Sequence, residues 1–212
     1  MVLPVSLVTA STPDWWARAL DVAPALVGAV ISHGPVSIML TEVEAYEGVD
    51  DPASHAWRGP TPRTQVMFGP PQHLYVYLSH GIHHAMNLVC GPEGTASAVL
   101  LRAGRVVAGE PVARDRRPGV DHDRLARGPG CLTRALGVDR AHDGMGFVSL
   151  RQAQGADGQA QVAPAVDVPV STGPRVGVSR AADRPWRFWW SNDTTVSTYR
   201  RAQPAGGRRI SS

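Results

Sequence analysis

Apolar and polar residues alternate with a period of two from Val36 to Tyr46. That predicts a strand, with Val36, Ile38, Leu40, Glu42, Glu44 and Tyr46 on one face. The turn residues His33-Gly34-Pro35 precede it, and the apolar stretch ending at Ile31 predicts a strand before the turn. Leu74 to Leu78 alternates again, with Tyr75 and Tyr77 on one side; Gly81 breaks the pattern and Ile82 to Val89 resumes it. This pair predicts a β-hairpin whose tip carries His80-Gly81. Ala96 to Leu101 predicts another strand, ending at Arg102, and Trp186 to Trp190 an aromatic strand near the end. Thr12-Pro13-Asp14 reads as the start of a helix continuing through Leu20. Val106 to Arg114 and Asp121 to Arg127 also read as helical, and a third short helix, Leu132 to Leu136, stops at Gly137. Glu47 to Pro71 is a long loop rich in Gly and Pro, and long ordered loops are often functional. Gln152 to Pro164 reads as an exposed loop, and 203–212 as a flexible tail.

Composition narrows the classes. A chain of 212 residues, 43% of them hydrophobic, can build a sizeable core, which excludes global disorder. A single domain over residues 1–202 is expected. The net charge of +3 permits nucleic-acid binding without requiring it. All 21 basic residues are arginine, and lysine is absent. Cys90 and Cys131 lack metal-type spacing and read as reduced thiols of a cytoplasmic protein. The N-terminus has no basic region followed by a continuous apolar stretch, so no signal peptide is expected. The longest apolar run, Val22 to Ile31, is too short to span a bilayer, so no membrane is expected as a partner.

The residues with chemistry fall in a fixed order. Thr41-Glu-Val-Glu-Ala-Tyr46 comes first, then His55 and Arg58-Gly-Pro-Thr-Pro-Arg63. The hairpin Leu74-Tyr-Val-Tyr-Leu-Ser-His-Gly-Ile-His-His-Ala-Met-Asn87 follows, then Val99-Leu-Leu-Arg102, Gly128-Pro129, Gly173-Pro-Arg-Val-Gly177 and Pro185-Trp-Arg-Phe188. With these motifs, from about Asp14 to Ser197, the chain resembles the alkyladenine (3-methyladenine) DNA glycosylases, also called methylpurine DNA glycosylases.

The resemblance implies an α+β single domain with a curved, mainly antiparallel sheet, peripheral helices and a protruding hairpin that inserts into DNA. It implies a monofunctional DNA glycosylase of base excision repair, a monomer acting on damaged duplex DNA without cofactor or metal. Glu44 matches the general base that activates the attacking water, and Arg102 the arginine that holds that water and keeps the carboxylate ionised. A carboxylate suits the chemistry, because purine departure leaves an oxocarbenium-like sugar. Tyr46, His55 and Tyr77 match the walls that stack a flipped base. Asn87 matches the residue that reads the purine edge and rejects guanine. His80 stands where the family usually has a tyrosine wedge, with Ile82 beside it as further wedge surface. Arg58, Arg63 and Arg175 are expected phosphate contacts, and Gly128-Pro129-Gly130 a possible one. Tyr75 is expected in the core, beside the site in sequence only.

Three other readings compete. His80, His83 and His84 cluster, but adjacent strand positions face opposite ways and no paired ligand motif supports zinc. A non-catalytic damage-binding protein would have no need of both Glu44 and Arg102. Leu125-Ala-Arg-Gly-Pro-Gly130 with Asp143 fits a helix-hairpin-helix glycosylase, which the strand-rich first half disfavours.

Overall fold

The structure, a computed structural model, describes residues 6–7, 13–79, 81–149 and 160–202. Three helices and eleven strands alternate in it. The first half holds β1 (Ser6–Leu7), α1 (Ala19–Leu26), β2 (Val30–His33), β3 (Val36–Tyr46), β4 (Leu74–Ser79), β5 (His83–Val89) and β6 (Ala98–Ala108). The second half holds α2 (Glu110–Arg116), β7 (Ala126–Arg127), α3 (Pro129–Leu136), β8 (Phe147–Ser149), β9 (Ala160–Ala163), β10 (Pro169–Gly173) and β11 (Arg187–Trp190). All strands join one sheet in which every pairing is antiparallel except β8 with β9. The α+β class is therefore as the sequence implied.

β3 is the axis of the sheet. On one side it pairs with β2 through its first half and β11 through its second; along the other it pairs with β6. Val36, Ile38 and Leu40 enter the main core, but so do Val43 and Ala45. The apolar face thus changes phase by one residue. The cause is a β-bulge: Leu40 pairs with Gly104 and Glu42 with Ala103, leaving Thr41 extra. A second irregularity follows at once, since Val43 pairs with Leu101 and Arg102 is passed over. Glu42, Glu44 and Tyr46 therefore face away from Val36, Ile38 and Leu40, not with them as strict alternation predicts. Bulges re-aim side chains, and these two do so where the charged residues lie.

The helices depart further from expectation. The first begins at Ala19, not in the Thr12-Pro13-Asp14 segment, and continues through residues read as strand. Its buried residues Ala19, Val22, Ala23 and Leu26 follow helical spacing. Its first N–H groups are satisfied from afar, Ala19 donating to Ser97 Oγ and Leu20 to Glu47 Oε1. No local cap marks it. Val106–Ala108, read as helix, are the end of β6. Asp121–Arg127 holds only a 3-10 turn, His122–Arg124, and then β7. Residues 160–163, read as loop, form β9, with Ala160 and Val162 buried. The 203–212 tail lies outside the described residues. No described helix is long and apolar enough to cross a membrane.

Candidate active site

β4 and β5 form the expected hairpin, Tyr75 opposite Asn87 and Tyr77 opposite Ala85. Through β5 it docks on β6, where Asn87 meets Leu100. The loop from Glu47 to Pro71 folds back over β4. It is held by a small second core of Ala56, Met67, Tyr75, Val89, Ala96 and Ala98. Between loop, hairpin and sheet lies a cleft of about 990 Å³, large enough for a purine nucleoside.

Seven of the site residues expected from sequence line this cleft: Tyr46, His55, Arg58, Arg63, Tyr77, Asn87 and Arg102. Glu44 lies beneath, with no exposed surface. Its Oε2 accepts a hydrogen bond from the Tyr46 hydroxyl at 2.9 Å and its Oε1 from the Val176 N–H at 2.7 Å. Arg102 Nε stands 3.4 Å from Oε1. Burial is the largest influence and raises the Glu44 carboxyl above its ordinary pKa; Arg102, the Val176 N–H and Tyr46 oppose it, and the Glu42 charge adds to it. Arg102 therefore moderates the shift without cancelling it.

Glu42 is the stronger partner of Arg102. Its Oε1 accepts from Arg102 Nε at 2.9 Å, Arg187 Nε at 2.7 Å and Ser197 Oγ at 2.9 Å, and its Oε2 from Ser197 N–H at 2.7 Å. The role of Arg187 was invisible in the sequence, although it sits in the Pro185-Trp-Arg-Phe188 motif.

Aromatic rings make the walls. The His55 and Tyr77 rings meet edge-to-face at 4.5 Å, and Tyr75 and Tyr77 lie tilted at 5.5 Å. Tyr75 belongs to the site as well as to the core: its hydroxyl hydrogen-bonds His55 Nδ1 at 3.1 Å. Burial first, and Arg63 second, lower the His55 pKa to about 4, so its ring is neutral at physiological pH. Burial pushes Tyr77 up to about 12 and Tyr46 well above its ordinary value. Asn87 is buried and donates from Nδ2 to the Tyr75 carbonyl at 3.0 Å.

Arginines surround the walls. Arg63 Cζ is 5.4 Å from the Tyr77 ring centroid; Arg58 and Arg180 approach Trp57 at 5.7 and 4.7 Å. Arg175 is no phosphate contact. It is 1% exposed and packs 4.5 Å from the Tyr46 centroid. Its Nη2 donates to Asp51 Oδ1 at 2.8 Å and its Nη1 to the Ala45 carbonyl at 2.9 Å. It braces the strand end that carries Glu44 and Tyr46. Gly128, Pro129 and Gly130, at the start of α3, border the cleft.

Ile82, 73% exposed, stands at the hairpin turn outside the cleft. His80, the expected wedge, lies outside the described residues. Asp143 does not approach the cleft. It accepts the Val76 N–H at 2.8 Å and pairs with Arg140, a structural role on β4.

A family model described as methylpurine-DNA glycosylase matches residues 15–194. Among curated proteins, one from Cutibacterium acnes is 53% identical over 186 residues, 87% of this chain and 97% of its own length. One from Streptomyces avermitilis is 50% identical over 206 residues, 92% and 94% of the two chains. One from Corynebacterium jeikeium is 49% identical over 210 residues, 94% and 96%. All three carry a 3-methyladenine DNA glycosylase name.

Proposed function

The chain belongs to the methylpurine-DNA glycosylase family, and from that premise we propose that it flips alkylated or deaminated purines from duplex DNA and hydrolyses their N-glycosidic bond with Glu44 as general base. Membership makes it a DNA glycosylase, an N-glycosyl hydrolase of DNA repair. One observation carries the mechanism: a fully buried carboxylate directly beneath an aromatic cleft, touched by three residues that line it.

A carboxylate offers about four lone-pair directions. On Glu44, the Val176 N–H and the Tyr46 hydroxyl take two, while Arg102 Nε, bonded to Glu42, stands by at 3.4 Å as a charge, which leaves a direction for a water. Burial makes the carboxylate a better base, since a raised pKa draws nearer the working pH. As the purine leaves, positive charge grows on the sugar and the fixed carboxylate stabilises it. Tyr46 and Tyr77 would stack the flipped base while neutral His55 and Asn87 read its edge. Ile82 would press into the minor groove beside His80, and Arg58 would hold phosphate. With no lysine in the chain, a lysine Schiff base is excluded and the α-amine is the one amine left; with water as the nucleophile the product is an abasic site without strand cleavage. The substrate class is 3-methyladenine, 7-methylguanine, hypoxanthine and ethenoadenine.

The test is base release from lesion-bearing duplexes, with abasic sites revealed by alkali. Wild type should release base, and Glu44→Gln should bind the same duplex without turnover. Two active proteins would remove Glu44 from the mechanism. Two inactive proteins that still bind damaged DNA would leave a damage-binding module.

A further inference from the structure

Two tyrosines of the cleft, Tyr46 and Tyr77, already have a cation near the ring. Arg175 Cζ is 4.5 Å from the Tyr46 centroid and Arg63 Cζ 5.4 Å from the Tyr77 centroid. The two cations differ in one respect. The charge of Arg175 is answered by Asp51, in an ion pair with no exposed surface on either side chain. Arg63 has no carboxylate within ion-pair distance among the described residues, and no recorded charge partner there. It borders the cleft, close enough to the Tyr75 and Tyr77 hydroxyls for its charge to oppose the upward shift that burial imposes on each.

We propose that Arg63 is a specificity-determining residue that biases excision toward lesions with an uncharged purine over purines made cationic by N-methylation. The inference rests on the functional reading above. An electron-rich ring attracts a cation to its face, and near Tyr77 the protein supplies that cation itself. A purinium entering the cleft meets a like charge at short range, whereas hypoxanthine or ethenoadenine does not. The bond-breaking step favours the same ranking. The electron pair of the C1′–N9 bond leaves with the purine, and the water oxygen forms the new bond to C1′. The water's proton passes to Glu44, and a neutral lesion recovers a proton on its ring from solvent. A neutral purine thus gains negative charge in the transition state and is stabilised by Arg63, while a methylated purinium leaves uncharged and gains nothing.

The sequence alone assigns Arg63 to phosphate, and the experiment separates the two roles. Excision rates under single turnover are measured for wild type and Arg63→Gln on duplexes bearing hypoxanthine or 7-methylguanine, across a range of salt. Arg63 is exposed, so the variant should fold, with an unchanged melting temperature as the check. The proposal expects hypoxanthine excision to fall and 7-methylguanine excision to hold or rise, shifting their ratio by about tenfold. Equal losses on both lesions, with the salt slope of binding reduced by about one, would return Arg63 to the phosphate backbone and overturn the proposal. An unchanged ratio overturns it too. A wild type inactive on both lesions sinks the functional reading itself, and this inference with it.

Discussion

Two carboxylates lie two residues apart on β3, neither with any exposed surface, and their surroundings differ. The Glu42 cluster draws on three elements of the sheet and the chain after it. Arg102 of β6, Arg187 of β11 and both donors of Ser197 bring four hydrogen bonds to its carboxylate, three on Oε1 and one on Oε2. The Glu44 cluster, at the floor of the cleft, is served by one arginine at 3.4 Å, one N–H and one phenol. The first is held by four hydrogen bonds and ties the chain together; the second is held by two and keeps room for another partner. Complete satisfaction of a buried polar group secures a fold, and incomplete satisfaction leaves room for a substrate or water.

The difference can be broken at its root. Deleting Thr41 removes the extra residue of β3 while β6 keeps its own at Arg102, so every β3–β6 pair beyond that point slips by one position. We expect no soluble folded protein, read by circular dichroism and gel filtration; a folded, active deletant would show that the paired irregularities are dispensable. Glu42→Ala strands two buried arginines and should destabilise the fold by about 3–5 kcal/mol in urea unfolding. A loss under about 1 kcal/mol would make that cluster dispensable.

Glu44→Gln tests the opposite pole. Excision should fall by about 10²–10⁴-fold, the usual worth of a positioned general base, with the fold retained. Its stability at neutral pH should match or exceed that of wild type. Burial raises the Glu44 carboxyl above its unfolded value, so the folded chain binds more protons between the two values. Stability then falls as pH rises through that window, and the ionised carboxylate is a cost above it. A marked loss of stability in Glu44→Gln would mean that the open site supports the fold after all. Activity runs the other way, because the base must be ionised. The acid limb of the excision profile should lie above the ordinary glutamate value of about 4.3 and vanish in the residual rate of Glu44→Gln. The smallest effect is expected outside both clusters. Ile82→Ala should leave stability unchanged and weaken excision from duplex more than from single-stranded DNA, by a few-fold.

These two clusters also mark how far the sequence could be read. The bounds of β3 follow from its alternation, and the hairpin from the break at Gly81. The residues that line the cleft carry the motifs of a family, so they could be named before the fold was known. The phase change at Thr41 could not, since a bulge depends on the partner strand and β6 makes its own at Arg102. One local clue was present: strict alternation placed two glutamates on the face of Val36, Ile38 and Leu40, a costly mixture for one buried face. In the sequence Arg175 reads as a phosphate contact and Arg187 shows no role, because their partners, Asp51 and Glu42, are remote in sequence. The first helix was misread for a related reason: its N–H groups are satisfied by Ser97 and Glu47, not by a neighbour.

That remoteness bears on how the protein is born. The Val176 N–H reaches Glu44 across 132 positions, and Ser197 reaches Glu42 across 155. Such closures come late, because contacts between distant segments must first overcome the entropy of joining them. During synthesis, at roughly 5–20 residues per second, β3 leaves the ribosome long before β11 and Ser197 exist. The carboxylates therefore wait, hydrated and incompletely partnered, while most of the chain is made. A nascent or truncated chain that can already form the hairpin still lacks Val176 and Ser197, so neither carboxylate has its full set of donors until the last fifth of the chain is made.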